Sequence, residues 1–218
     1  MPFIPLPHID HKVYLGMWQV EEDEDYFHSR LNIYENEKNI LASISHPQKR
    51  LEWLSSRLCL KELLKITHKV ESLNQPTGQP YLSDHSFNIS YSHSNMFSGA
   101  IASEHVPVSI DLEDLSKQRN LETRFLFMHP DEIAWFESTG DLRAFFLIWS
   151  AKETLYKIYA KRGIVFKENL LINSEKQPLG ESGTVSGILI ADGYEKTYTI
   201  HYRFNPRVLL TYTFDSLL

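Results

Sequence analysis

Two carboxylates one residue apart, Asp111 and Glu113, close a stretch that begins at Val106. Val106, Val108, Ile110 and Leu112 alternate with the remaining positions, which predicts a strand carrying both carboxylates on the face opposite the aliphatic one. Like charges so placed repel unless a cation lies between them, and one or two carboxylates completed by substrate phosphates is a common way to hold magnesium. A solvated strand end has the same pattern. A second candidate is Trp149-Ser150-Ala151-Lys152-Glu153-Thr154-Leu155-Tyr156-Lys157. Glu153 and Lys157 stand at i and i+4 and share a helix face. They suit an ordinary surface ion pair, or a carboxylate for a metal beside an ammonium for a phosphate. The third is Ser90-Tyr91-Ser92-His93-Ser94. A serine hydrolase is disfavoured there, because no Gly-x-Ser-x-Gly elbow is present and the serines adjoin the histidine in the chain.

These residues need elements to carry them. A helix is predicted to start near Ser45, where Ser45 and Gln48 fit a capping box and Pro47 suits an early helical position. Leu51, Leu54, Leu58, Leu63 and Ile66 follow at helical spacing. Between His46 and Lys69 six basic residues face two acidic ones, which predicts a basic outer face. The acidic run Glu21 to Asp25 reads as a solvated helix start or loop. Breakers cluster from Asn74 to Pro80. Strands are expected over Phe87–Tyr91, Phe97–Ala102 and Val106–Leu112. His129-Pro130-Asp131-Glu132 opens a helix that Gly140 ends, and a longer one is expected from Asp141 to about Lys161, with Gly163 as its stop. From Lys152 to Lys167 five basic residues stand against one acid, Glu153. The tail from Val185 to Leu218 reads as a three-stranded meander turning at Asp192-Gly193 and Asn205-Pro206. Helix plus strands thus occurs twice. The fold class is α+β in two similar halves, 1–114 and 115–218, each a helix packed on an antiparallel sheet.

Composition limits the function. The chain has 218 residues, 42% hydrophobic and 23% charged, with a net charge of -6. A core of ordinary size is available without disulfides or structural metals, and the acidic balance disfavours a nucleic-acid binder. The one cysteine, Cys59, excludes disulfide scaffolds and cysteine zinc motifs and reads as a small buried residue. No stretch has the length of a membrane span, and the amino terminus lacks a signal-peptide pattern. A soluble cytoplasmic protein is expected.

The order of the three candidates along the chain resembles the 4′-phosphopantetheinyl transferase superfamily. The family's aliphatic-Gly-aliphatic-Asp-x-Glu motif is matched by Val108-Ser109-Ile110-Asp111-Leu112-Glu113. Its Trp-Ser/Thr-x-Lys-Glu-x-x-x-Lys motif is present in full from Trp149 to Lys157, and its Ser-His-Ser element is Ser92-His93-Ser94. The resemblance runs from about Ser45 to Phe166, with a length that suits the larger single-chain type, similar to surfactin-synthetase activators. Two departures stand out. Ser109 replaces a glycine, and Gly78-Gln79-Pro80 replaces Gly-Lys-Pro, so a lysine that usually holds the nucleotide end of coenzyme A is missing.

The resemblance implies transfer of the phosphopantetheine arm of coenzyme A to a serine of an apo acyl or peptidyl carrier protein, releasing adenosine 3′,5′-bisphosphate. It implies the holo-[acyl-carrier-protein] synthase type of enzyme. It also implies halves related by pseudo-twofold symmetry, with the active site in the cleft between them, and a monomer. Magnesium would be held by Asp111, Glu113 and Glu153. Lys157 would neutralise the diphosphate, and Glu153 would accept the serine proton. His93, Arg50 and the neighbouring Lys49 would contact coenzyme A phosphates, Arg50 near the 3′-phosphate. Phe125 to Met128 are candidate carrier contacts, with core as the competing and favoured role. Two rivals use the same residues: another metal-dependent hydrolase of coenzyme A or nucleotide phosphates, and a non-catalytic coenzyme A-binding interaction protein.

Overall fold

Proline at the first helical position and a left-handed residue at the end bound two helices of this chain, Pro47–Leu64 and Pro130–Thr139, seen here in a computed structural model that describes residues 3–5, 12–173, 179–191 and 193–215. The chain divides into two units, Met1–Val108 and Ser109–Asp215.

In the first unit the strands β1 (Phe3–Pro5) and β2 (Val13–Gln19) precede three helices, α1 (Glu24–Arg30), α2 (Glu35–Ser43) and α3 (Pro47–Leu64). The short hairpin β3 (Ser72–Asn74) and β4 (Pro80–Leu82) follows, then β5 (Asn88–Ser94) and β6 (Phe97–Ser103). The sheet order β1-β2-β6-β5 is antiparallel throughout. The acidic run does start a helix: Asp23 caps α1 by accepting from the Tyr26 amide at 2.9 Å. The N-cap of α3 is His46, with no side-chain cap bond, so the expected Ser45–Gln48 capping box does not form. Pro47 sets the start instead, since its missing N–H costs nothing there. Helix α3 packs on β6, whose run Ser98-Gly99-Ala100 is small enough for close approach; Ser55 and Ser98 share a 2.6 Å hydroxyl bond. Trp18, Phe27, Leu54, Leu58 and Cys59 lie in the core beneath. Burial drives the Cys59 thiol strongly up, the reverse of what a nucleophile needs. The basic face of α3 is not wholly solvated, because Arg57 is buried and stacks on Trp53 at 3.9 Å.

The second unit begins with β7 (Val108–Asp114) and a single 3-10 turn at Leu121–Thr123. Then come α4 (Arg124–Phe127), α5 (Pro130–Thr139), α6 (Leu142–Tyr159), α7 (Phe166–Asn169), β8 (Leu170–Asn173), β9 (Ser182–Ala191), β10 (Tyr194–Phe204) and β11 (Val208–Phe214). The sheet order is β7-β11-β10-β9-β8. The expected three-stranded meander is therefore the middle of a five-stranded sheet, extended by β8 and β7; of its expected turns, Asp192 lies outside the described residues. Because β7 pairs with β11, it belongs to this sheet, whereas the sequence pattern placed residues up to 114 with the first half. Strand β7 is buried along its whole length, so its carboxylates are not on a solvated face.

Helix α6 starts as expected, with Asp141 accepting from the Arg143 amide at 2.9 Å. It stops at Tyr159, because Ala160 takes the left-handed conformation at φ 57, ahead of the expected Gly163. Its apolar face, Phe145, Ile148, Ala151 and Leu155, meets Leu189, Ile200 and Leu209 of the sheet. Gly187 permits this approach: a Cβ there would stand 2.5 Å from Ile200 Cδ1 and 2.9 Å from Leu155 Cδ1. Gly187→Val should therefore lower stability by about 1–3 kcal/mol through overpacking. A thermal melt checks this, and an unchanged midpoint would mean that the sheet can shift away from α6. No helix among the described residues is long and apolar enough to cross a membrane.

Candidate active site

Strand alternation puts Ser109, Asp111 and Glu113 on the face of β7 that looks at α6, and three contacts confirm it. Ser109 Oγ donates to the Thr154 carbonyl at 2.7 Å, Ser150 Oγ donates to Asp111 Oδ2 at 2.7 Å, and Trp149 Nε1 donates to Glu113 Oε1 at 2.7 Å. Ser109 thus fastens β7 to α6. Lys157, two turns along α6 from Ser150, donates to Asp111 Oδ1 at 2.8 Å and to the Ile110 carbonyl at 3.0 Å. Ser150 is further shared with Thr211 of β11 at 2.8 Å. The strand carboxylates and the helix pair, for which a solvated end and a surface ion pair are the alternative readings, therefore form one arrangement, in which a strand carboxylate pairs with a helix ammonium.

Charge crowding marks the same place. Burial, the Asp111 charge and the Glu113 charge push Glu153 up to about 7, against the opposing pull of Lys157. Burial and then Asp111 also raise Glu113, while Arg119 and Trp149 hold it down. Arg119 forms an ion pair with Glu113. It was missed in the sequence; its only signal was a cation placed soon after the Asp-x-Glu pattern. A cavity of about 690 Å³ opens beside these groups, lined by Arg119, Leu126, Phe127, Trp149, Glu153 and Phe166 among others. Of the segment considered for carrier contact, Phe127 and Met128 are core, whereas Phe125 and Leu126 are 47% and 75% exposed.

Asp111, Glu113 and Glu153 are hard oxygen donors, the class that magnesium takes. Among the described residues no three His, Cys, Asp or Glu side chains are gathered closely enough to hold a metal by themselves. Magnesium does not require that, since it is usually bound through one or two carboxylates with waters and substrate phosphates. The donor set fits the ion in that sense.

The other expected ligands lie in the first unit. Lys49 Nζ is 2.8 Å and His93 Nδ1 is 3.1 Å from Glu52 Oε2, so a largely buried carboxylate brings these two residues together. Arg50 is committed elsewhere: its Nε donates to Glu24 at 2.9 and 3.1 Å, its Nη2 pairs with the same carboxylate, and its Nη1 donates to the Leu41 carbonyl at 2.8 Å. Gln79 sits in the β3–β4 turn. The Gln75 amide bonds to the Gln79 carbonyl at 2.8 Å, and Gly78 supplies the positive φ of 96.

Residues 107–201 match the 4′-phosphopantetheinyl transferase superfamily. The match takes in Asp111, Glu113, Trp149, Glu153, Lys157 and the cavity beside them. It supports a transferase of phosphopantetheine in general terms, and with it coenzyme A and a carrier protein as the kinds of partner. A search of curated proteins found none that matches the chain.

Proposed function

We propose that this protein transfers the 4′-phosphopantetheine group of coenzyme A to a serine of an apo acyl or peptidyl carrier protein, in a magnesium-dependent reaction that releases adenosine 3′,5′-bisphosphate. The observation that carries this reading is the joining of Asp111 and Glu113 to α6, with Glu153 and Lys157, inside the matched region. Asp111, Glu113 and Glu153 would be the oxygen donors available to the magnesium, one or two of them holding it with waters and substrate phosphates, and the ion would supply positive charge to a diphosphate when bound. Lys157 adds a second cation on the same side. Phosphoryl-type transfers depend mostly on such positioning and charge.

The carrier serine loses its hydroxyl proton to Glu153, directly or through a water. In the metal-free chain burial and Asp111 push that carboxyl up to about 7, and a bound magnesium would draw it back down while leaving it placed to take the proton. The serine oxygen bonds to the phosphorus that bears the pantetheine, and the bond from that phosphorus to the adenosine 3′,5′-bisphosphate oxygen breaks. His93 and Lys49 bind coenzyme A phosphates. Arg50 contributes only by exchanging Glu24 for the 3′-phosphate. The exposed pair Phe125 and Leu126 offers the carrier an apolar contact.

Intact-protein mass spectrometry of an apo carrier tests this. The carrier is incubated with the protein, coenzyme A and magnesium, beside a chelator control. A chelator-sensitive gain of one phosphopantetheine group is expected. Coenzyme A consumed without any gain would favour the hydrolase, and binding without turnover, tried over several carriers, the interaction protein. Gln79→Lys, which restores the family's cation on an intact turn, should tighten coenzyme A binding severalfold, at roughly 1 kcal/mol for one exposed ion pair. Unchanged affinity by titration calorimetry would show that this turn does not meet the nucleotide.

A further inference from the structure

We propose that the buried pair Lys152–Glu132 is a positioning device that holds Trp149, and through it the Glu113 carboxylate, together with Phe127 and Phe166, two of the aromatic residues that line the cavity. Lys152 neighbours Glu153 in the chain, and in the sequence it reads as one more member of a basic cluster. It is instead fully buried, at 0% exposure. Its ammonium is saturated by three acceptors: Glu132 Oε2 at 2.7 Å, the Phe127 carbonyl at 2.7 Å and the Phe166 carbonyl at 3.0 Å. Glu132 in turn takes the His129 amide at 2.7 Å and the Ile172 amide at 2.6 Å. One ion pair therefore ties the end of α4, the start of α5, the start of α7 and β8 to a single point on α6.

Its reach to the site is through rings. Phe127 and Phe166, the two residues whose carbonyls Lys152 holds, both pack on Trp149, with centroids at 5.0 and 5.7 Å. Trp149 spends its only donor on Glu113. Phe127, Phe166, Trp149 and Glu153 line one cavity. A buried ion pair is weak evidence for added stability, because desolvation offsets the attraction, and a fixed geometry is its better-attested use. Here the geometry fixed is that of the indole and of the carboxylate it bonds.

The kinetic part of the test rests on the transferase reading; the structural part does not. Lys152→Met with Glu132→Gln removes both charges together, and glutamine can still serve in a capping box. With indole-¹⁵N tryptophan the chain gives four indole signals, one for each Trp, and Trp149→Phe assigns one of them. In the folded double variant the Trp149 signal should shift and its proton should exchange faster, with Trp18 and Trp53 of the first unit unmoved. Transfer should lose kcat on the order of tenfold or more, with KM for coenzyme A little changed. A folded double variant with the Trp149 signal at its original place overturns the proposal. Should that variant fail to fold, Glu132→Gln alone decides: it keeps the shape of the side chain but removes the charge that holds Lys152, and an unmoved Trp149 signal overturns the proposal equally. A wild-type protein inactive in transfer would sink the transferase reading, while the Trp149 signal still decides the positioning role.

Discussion

Replacing Asp111 by asparagine should reduce carrier modification by about 100-fold or more, a barrier increase of ~2.7 kcal/mol. Asp111 is 5% exposed, with one oxygen accepting from Lys157 and the other from Ser150. Alanine would delete both bonds and leave buried polar groups short of a partner, so a loss of activity could come from a damaged fold. Asparagine keeps one acceptor for Lys157. Its amide can donate to Ser150 Oγ, which has Thr211 as another partner. The melting temperature should then stay near that of the wild type, while the negative charge proposed to meet the metal is gone. Initial rates by carrier mass spectrometry at several magnesium concentrations check this. Wild-type rates at low magnesium would remove Asp111 from the metal site.

Glu153→Gln should have opposite effects on activity and stability. Loss of the proton acceptor should slow transfer by roughly 10²–10⁴-fold. The metal-free protein should become more stable at alkaline pH. Glu153 titrates at about 7 in the folded chain against 4.5 for an unperturbed glutamate, mainly through burial and the neighbouring Asp111. A carboxyl raised by folding costs nothing while both states hold the proton. Its cost grows as pH rises from the unfolded value to the folded one, and is complete above that. Glutamine never carries the charge. The stability gap between the variant and the wild type should therefore open between pH 4.5 and about 7 and hold beyond. Melts in chelator at pH 5, 7 and 8 would show it. A less stable variant at pH 8 would mean that the carboxylate is held by Lys157 more than it is repelled by Asp111. Full activity would exclude Glu153 as the base.

What could be read locally was read well. Pro130 and Gly140 bound α5, Asp141 caps α6, and alternation along Val108–Asp114 set Asp111 and Glu113 on one face. Spacing also placed Glu153 and Lys157 on one side of α6. Environment is what the local pattern does not carry. The strand carboxylates were candidates for a solvated end and are buried, because β7 is covered along its whole length. Lys152 was counted with surface cations and is buried, because Glu132 and two carbonyls wait for it. The capping box at Ser45 gave way to a start set by Pro47.

The division follows from the range of the forces involved. Period and capping depend on residues within a turn or two, so the sequence alone determined which side chains share a face, and the order of the motifs along the chain. Partnership depends on residues far apart in the chain: Arg119 with Glu113 is the nearest case, Ser150 with Asp111 spans 39 positions, and Arg50 with Glu24 spans 26. Only the tertiary structure decided those. It brings a helix ammonium onto a strand carboxylate, crowds three carboxylates in a poorly hydrated place, and thereby raises Glu153 to a proton affinity that no local pattern contains.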